Sequence, residues 1–224
     1  MAQGRYDGRV RTFIRTLLWA IILVAGVLGV ARLTVFRWFK IPLDDPVLAA
    51  SIRPTLWEGD WVLTWRAVRP VFGDLVVCPE PDYPSRFVIG RIAGEAGDRI
   101  DIHNGIPTTN GKGYRDERSC DPSTFTFPNP NNDAEELSQS CGWEAMANHL
   151  HQVGKTSGHK IMPADVAIEV PEGKLFLLSD NRVFPYDSRD FGLVDNSSCK
   201  ETIIGRLVSK RGWMDSKNRL NYIQ

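Results

Sequence analysis

The sequence predicts a mainly β protein, with a folded-over sheet or barrel behind one N-terminal transmembrane helix. Short runs of β-branched and aromatic residues, bounded by Gly, Asp and Pro, recur along most of the chain. Helical periodicity is scarce outside one long apolar stretch. That stretch, over residues 16–31, has no charged residue and is rich in Leu, Ile and Val.

The apolar stretch has the properties of an uncleaved membrane anchor over residues 13–36. This span is close to the ~20 residues that cross a bilayer core, and Trp19 and Trp38 lie near its ends. It is longer than the apolar region of a cleaved signal, and a buried soluble helix is seldom apolar all round. Arginines before it predict a cytoplasmic segment 1–12, with the chain beyond Arg37 outside the cytoplasm.

The strands are predicted in two groups, separated by a segment of different composition. The segment 106–165 is rich in Ser, Thr, Gly, Asn and Pro, so we expect an inserted cap that buries little apolar surface. A short helix is predicted near Glu144–His151. The predicted strands are 61–65, 74–78, 86–93, 99–103, 174–179 and 202–209. The predicted division is 1–12 cytoplasmic, 13–36 anchor, 37–105 first part of the β-core, 106–165 cap, and 166–224 second part of the core.

Charge and cysteine content narrow the classes of function. The chain has 27 basic and 27 acidic residues, so no basic excess indicates a nucleic-acid partner. The four cysteines are too far apart for a paired zinc knuckle, and we expect neither a metal nor a cofactor. In an oxidising compartment Cys120–Cys141 is the preferred disulfide, although the sequence leaves all three pairings open.

Four separated motifs, in one order behind the anchor, resemble the type I signal peptidase family. They are SIRPTL with GD (51–60), GDLVV (73–77), RIAGEAGD (91–98), and SDNR with DSR and GLV (179–194). The resemblance implies a β-rich serine endopeptidase of the bacterial inner membrane, with Ser51 in the nucleophile position. It also implies that the partners are signal peptides or preproteins of exported proteins, cleaved at small-x-small sites, and membrane lipid around the anchor.

The general base of that family is missing from this sequence. A serine hydroxyl needs a neighbouring base, which the family supplies as a lysine just before the arginine of the third motif. Gly90 occupies this position. Arg86 cannot replace the lysine, since it lies roughly 13 Å away along a strand and its guanidinium stays protonated.

Other changes cluster around the missing base. Ala49 stands where the family often has an oxyanion-hole hydroxyl, Ser179 replaces a glycine, and Pro185 replaces a serine that orients the lysine. The retained residues of the last motif are expected to be structural, in buried charge pairs and hydrogen bonds that organise the site. They are Asp180, Asn181, Arg182, Asp187, Ser188 and Arg189.

The histidines and several lysines are candidates to replace the missing base. His103 is expected to be a solvent-facing strand residue. His149 and His151 are expected to be surface residues of the short helix, and His159 to lie in a solvated loop. Lys155, Lys160 and Lys174 could in principle approach Ser51, but nothing in their spacing indicates that they do.

Two functions therefore remain open at the level of sequence. One is an active signal peptidase that uses Ser51 with an unusual base. The other is a non-catalytic homologue that binds exported or pilus-type polypeptides and assists their assembly.

Overall fold

The structure is a computed structural model that describes residues 3–155 and 165–223. Its first element is a helix of 32 residues, α1 (Gln3–Thr34), of which Val10–Thr34 has a mean hydropathy of 2.3 and is not buried against the rest of the chain. Twenty-five helical residues extend about 37 Å, enough to cross a bilayer core of about 30 Å. The helix ends earlier than the predicted span 13–36, because Phe36 is already paired with Trp65 in a sheet.

The remaining elements are strands and two short helices. In chain order they are β1 (Phe36–Lys40), α2 (Pro46–Ser51), β2 (Trp61–Trp65), β3 (Leu75–Pro79), β4 (Phe87–Gly94), β5 (Arg99–His103), β6 (Ile106–Thr109), β7 (Lys112–Gly113), β8 (Arg115–Asn129), β9 (Asn132–Met146), β10 (His149–Lys155), β11 (Val166–Glu169), β12 (Lys174–Leu178), α3 (Ser188–Phe191), β13 (Val194–Asp195), β14 (Glu201–Val208) and β15 (Asn221–Tyr222). The mainly β prediction is confirmed, and each of the six predicted strands agrees within one residue at either end.

The main sheet is antiparallel and contains the strands that carry the sequence motifs. Its order is β1-β2-β14-β3-β4-β12-β13, with β15 paired to β14. Side chains alternate across a strand, so β3 contributes Leu75 and Val77 to one apolar cluster and Val76 and Cys78 to another. Because β3 and β4 are covered on both faces, a change of side-chain size there has little room to be absorbed.

A second sheet has the order β11-β5-β6-β7. Its residues Ile100 and Ile102 pack with Phe176 and Leu178 of β12 in a third apolar cluster. The turn that leads into this sheet needs the left-handed backbone of Gly97, whose φ is +87°. The second sheet therefore packs against one face of β12, while Leu175 and Leu177 on its other face belong to the second cluster of the main sheet.

The third sheet, β10-β9-β8, is formed by long strands within the predicted cap. The prediction of a helix near Glu144–His151 is wrong, because β9 reaches Met146 and β10 starts at His149. The chain reverses between them at Ala147, whose φ is +50°. Met146 pairs with His149 across the two strands. The apolar pattern of this short segment did not distinguish the two-residue period of a strand from the period of a helix.

The expectation of little apolar burial in this segment is also wrong. Phe127 and Leu137 are 1% and 4% exposed and form a cluster with Ala50, Val183 and Phe184. Ala50 directly precedes Ser51. The third sheet therefore packs against the short helix that carries the candidate nucleophile.

Two disulfides link the described cysteines. Cys120–Cys141 joins β8 to β9, which confirms the preferred pairing. Cys78–Cys199 joins β3 to the segment before β14. The second bridge thus closes the main sheet across 121 residues of sequence.

Candidate functional site

Ser51 is the last residue of α2 and is fixed by the helix that precedes it. Asp45 caps this helix by accepting a hydrogen bond from the Leu48 amide at 2.9 Å, and Pro46 occupies its first turn, where no amide donor is needed. The residue Ser51 is 0% exposed. Its hydroxyl donates to the carbonyl of Leu48 at 2.9 Å, so the proton is directed at the helix backbone.

Gly90 lies in β4, opposite Val76 of β3. A Cβ atom added at this position would lie 3.1 Å from the Leu177 Cβ and 3.3 Å from the Leu178 carbonyl oxygen. These distances are tighter than ordinary carbon contacts, and one of the two atoms belongs to the backbone of β12. A side chain at Gly90, where the resemblance places the family's lysine, therefore requires β12 to shift by a few tenths of an ångström.

This contact gives a stability prediction for Gly90→Ala. The added methyl group must displace β12 in a core covered on both faces, so we expect a loss of about 1–3 kcal/mol, typical of overpacking. Gly113→Ala is the matched control, since nothing lies within 4 Å of its added Cβ. Thermal unfolding of both variants measures the difference. Equal melting temperatures would show that β12 yields freely at residue 90.

Arg91 and Asp180 form a buried ion pair beside this position. The Arg91 Nε lies 2.7 Å from the Asp180 Oδ1, and the two side chains are 0% and 1% exposed. Arg91 also donates to the carbonyl of Gly73 at 3.0 Å. The guanidinium thus joins β4 to the loop after β12 and to the turn before β3.

Asn181 holds the end of α2 through both its backbone and its side chain. Its amide donates to the Ser51 carbonyl and its Nδ2 to the Ala50 carbonyl, each at 2.9 Å. Its Oδ1 accepts from the amides of Val183 and Phe184. The structural role of Asn181 is therefore to position the backbone at Ser51.

The remainder of the last motif forms a second buried network. Burial works against the charged form of Asp187, but the Arg189 guanidinium, 2.7 Å away, outweighs it and lowers the Asp187 pKa. Asp187 accepts from the Ser179 amide at 2.8 Å, and the Ser188 hydroxyl accepts from the Leu177 amide at 2.9 Å. Together these residues support the turn that carries Asp180.

Two of the replaced positions supply no catalytic group to Ser51 in these contacts. Ala49 is 5% exposed and presents only a methyl group in α2. The Ser179 hydroxyl accepts a hydrogen bond from the Tyr186 amide at 3.0 Å, next to Pro185. The contacts of Ala49 and Ser179 therefore serve packing and backbone hydrogen bonding.

Comparison with known proteins identifies this scaffold. The family model described as "Signal peptidase, peptidase S26" matches residues 13–210. The chain belongs to the signal peptidase family. A crystal structure of a signal peptidase I from Enterococcus faecalis V583 is similar at 20% identity and a TM-score of 0.40, over 61% of this chain and 97% of that one. No curated protein matches.

The signal peptidase scaffold here includes a buried charged cluster that the sequence did not reveal. Arg182 donates to Glu144 of β9, and the His151 Nε2 lies 3.4 Å from Glu144 and 3.8 Å from Asp180. Burial opposes ionisation of Glu144, but Arg182 and His151 lower its pKa to about 2. The third sheet thus supplies a carboxylate to the SDNR motif.

The expected surface position of His151 is wrong. Its side chain is 0% exposed, and burial together with the nearby Arg91 lowers its pKa, which favours the neutral imidazole. The neighbouring His149 is a quarter exposed and lies 3.8 Å from Asp74. The regular alternation of a strand, with residues 149 and 151 on one face, was the signal in the sequence for this placement.

The other candidate bases lie elsewhere. His103 is solvent-facing as predicted, with 80% of its side chain exposed and Asp165 at 2.8 Å. Lys174 pairs with Asp195 at 2.6 Å. His159 and Lys160 are outside the described residues. Within the part of the chain that is described, no group of three or more His, Cys, Asp or Glu side chains is placed to hold a metal ion.

Proposed function

We propose that this chain is a membrane-anchored, non-catalytic member of the signal peptidase family that binds exported or pilus-type polypeptides and assists their assembly. The observation that carries the proposal is the state of Ser51. Its hydroxyl is buried and donates to Leu48, while Gly90, at the lysine position, has no side chain and is closely packed against β12.

The chemistry of acyl transfer explains why this observation matters. A nucleophilic oxygen must approach a carbonyl carbon to about 3–3.5 Å, and a base must accept its proton. A residue that is 0% exposed does not meet the first requirement without rearrangement of α2. Restoring a base at residue 90 additionally requires movement of β12.

The retained parts support a role for the scaffold. The pair Arg91–Asp180, the contacts of Asn181 and the network of Asp187 keep the ordered framework around α2. Removal of one partner of a buried ion pair is strongly destabilising, so these contacts keep the surface around α2 in one defined arrangement. In this proposal the anchor crosses a bacterial inner membrane with residues 1–12 cytoplasmic, and exported polypeptides reach the extracytoplasmic β-domain.

A serine endopeptidase that removes signal peptides at small-x-small sites is the second candidate. It is favoured by the survival of Ser51 and by the position of Lys155. Lys155 directly follows Gly154, whose amide and carbonyl bond to the chain at residues 180 and 182. Asn181, between those two residues, donates to the Ser51 carbonyl, so Lys155 lies one residue along the chain from the hydrogen bonds that connect to the nucleophile segment.

The deciding experiment measures cleavage and binding with the full chain in a neutral detergent. A labelled peptide with an Ala-x-Ala cleavage site is incubated with the wild type, Ser51→Ala and the exposed control Ser197→Ala. We expect no turnover by any of them and equal peptide affinity for all three, because the serine hydroxyl faces its own helix. General-base assistance is worth about 10²–10⁴ in rate, so an operating base is easily detected.

Turnover by the wild type that disappears in Ser51→Ala contradicts the proposal and establishes the second candidate. Lys155→Met then tests the base, with a loss of about 10²–10⁴ in kcat if Lys155 accepts the proton. Absence of peptide binding by all variants contradicts the binding role as well.

A further inference from the structure

The face of the β-domain next to the end of α1 has an unusual composition. The helix ends at Thr34, and the Arg66 amide donates to the Val35 carbonyl at 2.8 Å. The loop that follows Arg66 is thereby fixed at the level where the chain leaves the helix. In a membrane-anchored protein, this level is the boundary between the acyl chains and the headgroups.

Two adjoining cavities lie on this face. The first has a volume of about 510 Å³ and is lined by Arg66, Arg69 and Lys200, among others. The second has a volume of about 490 Å³ and is lined by Thr34 of the helix itself, with Arg37. Arg66 and Lys200 border both cavities. The two cavities therefore form one basic recess against the end of the anchor.

The charges of this recess are only partly neutralised. Arg37 and Arg66 share the single carboxylate of Glu201, each with a contact at 3.1 Å. Arg69 and Lys200 are exposed and have no carboxylate partner among the residues that the structure describes. The lining thus has a net positive charge, and its two unpaired cations are at the rim of the first cavity.

Apolar side chains lie beside these cations. Val68 lines the first cavity and is 62% exposed, and Val71 is 51% exposed. Exposed valines next to unpaired basic residues match the interface of a bilayer, where acyl chains and phosphates are both within reach.

We infer that this basic recess binds the phosphate headgroup of an anionic phospholipid, with Arg69 and Lys200 as its contacts and Val68 against the acyl chains. The inference rests on the proposed membrane anchoring but not on the absence of catalysis. The phosphodiester is recognised by charge and by the donors of the guanidinium and ammonium groups. Binding of the headgroup in this recess holds the β-domain at a fixed orientation on the bilayer.

The test is equilibrium binding of a fluorescent phosphatidylglycerol to the full chain in mixed micelles of neutral detergent. Phosphatidylcholine with the same acyl chains and inorganic phosphate are the competitors. The variant is Arg69→Gln/Lys200→Gln. The control is Lys112→Gln/Lys217→Gln, which removes the same charge from exposed positions that border neither cavity. Two cations near an anionic surface predict on the order of 30-fold weaker binding by the first variant only.

Each outcome has a defined meaning. Preference for phosphatidylglycerol that is lost in Arg69→Gln/Lys200→Gln supports the inference. Equal loss in both double variants shows a general charge effect and overturns it, as does effective competition by phosphatidylcholine. Competition by inorganic phosphate at millimolar concentration shows a free-anion site and overturns the commitment to lipid. Carbonate extraction of membranes separately tests the anchoring, since a chain that is released contradicts the proposed anchor itself.

Discussion

Asp180→Ala is expected to lower the free energy of unfolding by about 3–5 kcal/mol, because it leaves a buried guanidinium without its counter-charge. Arg91 is 0% exposed and its Nε lies 2.7 Å from Asp180. The His151 imidazole, 3.8 Å from the same carboxylate, is held neutral by burial and offers no compensating negative charge. For a domain of this size, the loss corresponds to a melting temperature lowered by roughly 10 °C.

The measurement is thermal unfolding of the full chain, followed by circular dichroism in detergent. Asp101→Ala is the control, since its pair with Arg99 is exposed and we expect no measurable change. The double variant Arg91→Met/Asp180→Leu is expected to recover most of the loss, because an apolar pair removes the uncompensated charge. An unchanged melting temperature for Asp180→Ala would mean that Arg91 does not depend on this carboxylate.

The sequence predicted the parts of the fold that local pattern determines. The strands around residues 61–65 and 99–103 alternate clearly and are bounded by turn residues, so their bounds could be placed. Asp187 and Arg189 were recognisable from the resemblance of the last motif to the family, and the structure pairs them at 2.7 Å. Gly90 was identified from its place before Arg91 in the third motif, and a glycine has no side chain that could act as a base at this position.

In the third sheet the predictions from sequence were wrong, because burial there depends on contacts between residues that are distant in sequence. Glu144 and His151 are polar residues in a polar segment, and their burial depends on Arg182 and Asp180, which are distant in sequence. Local pattern contains no information about such partners. Phe127 and Leu137 likewise appear isolated until strand pairing places them against Ala50. In a long hairpin, polar neighbours such as Ser, Thr and Asn are therefore a weak indicator that a hydrophobic residue is exposed.

The burial of Ser51 also depends on these distant contacts. The hydroxyl faces Leu48 because α2 is held between Asn181 and the aromatic residues of the third sheet. The motif alone indicates a nucleophile, whereas the packing around it encloses that side chain. The glycine at residue 90 is an observation from the sequence, and the burial of Ser51 is an independent one from the fold. Both support the proposal that Ser51 is not catalytic.

Removal of the disulfide Cys78–Cys199 is expected to have the largest effect on stability, about 5 kcal/mol, because it closes a loop of 121 residues. Cys120–Cys141, with a separation of 21 residues, is expected to contribute about 3 kcal/mol. Thermal unfolding of Cys78→Ala/Cys199→Ala and Cys120→Ala/Cys141→Ala measures both losses, each variant being the control for the other. The reverse order would show that native packing around the bridges, rather than loop closure, determines their contribution.

The same disulfides test the orientation of the chain in cells. Both bridges lie beyond the anchor, and disulfides persist in oxidising compartments but are rare in the reducing cytoplasm. If residues 1–12 are cytoplasmic and the β-domain is exported, trapping of free thiols in intact cells labels none of the four cysteines. Labelling of all four places the domain in the cytoplasm, where a loss of about 5 kcal/mol from the longer bridge alone is a large part of the stability of a typical domain. The disulfide Cys78–Cys199 is therefore expected to be needed for a stable β-domain. Its oxidation state in cells also indicates on which side of the membrane the domain folds.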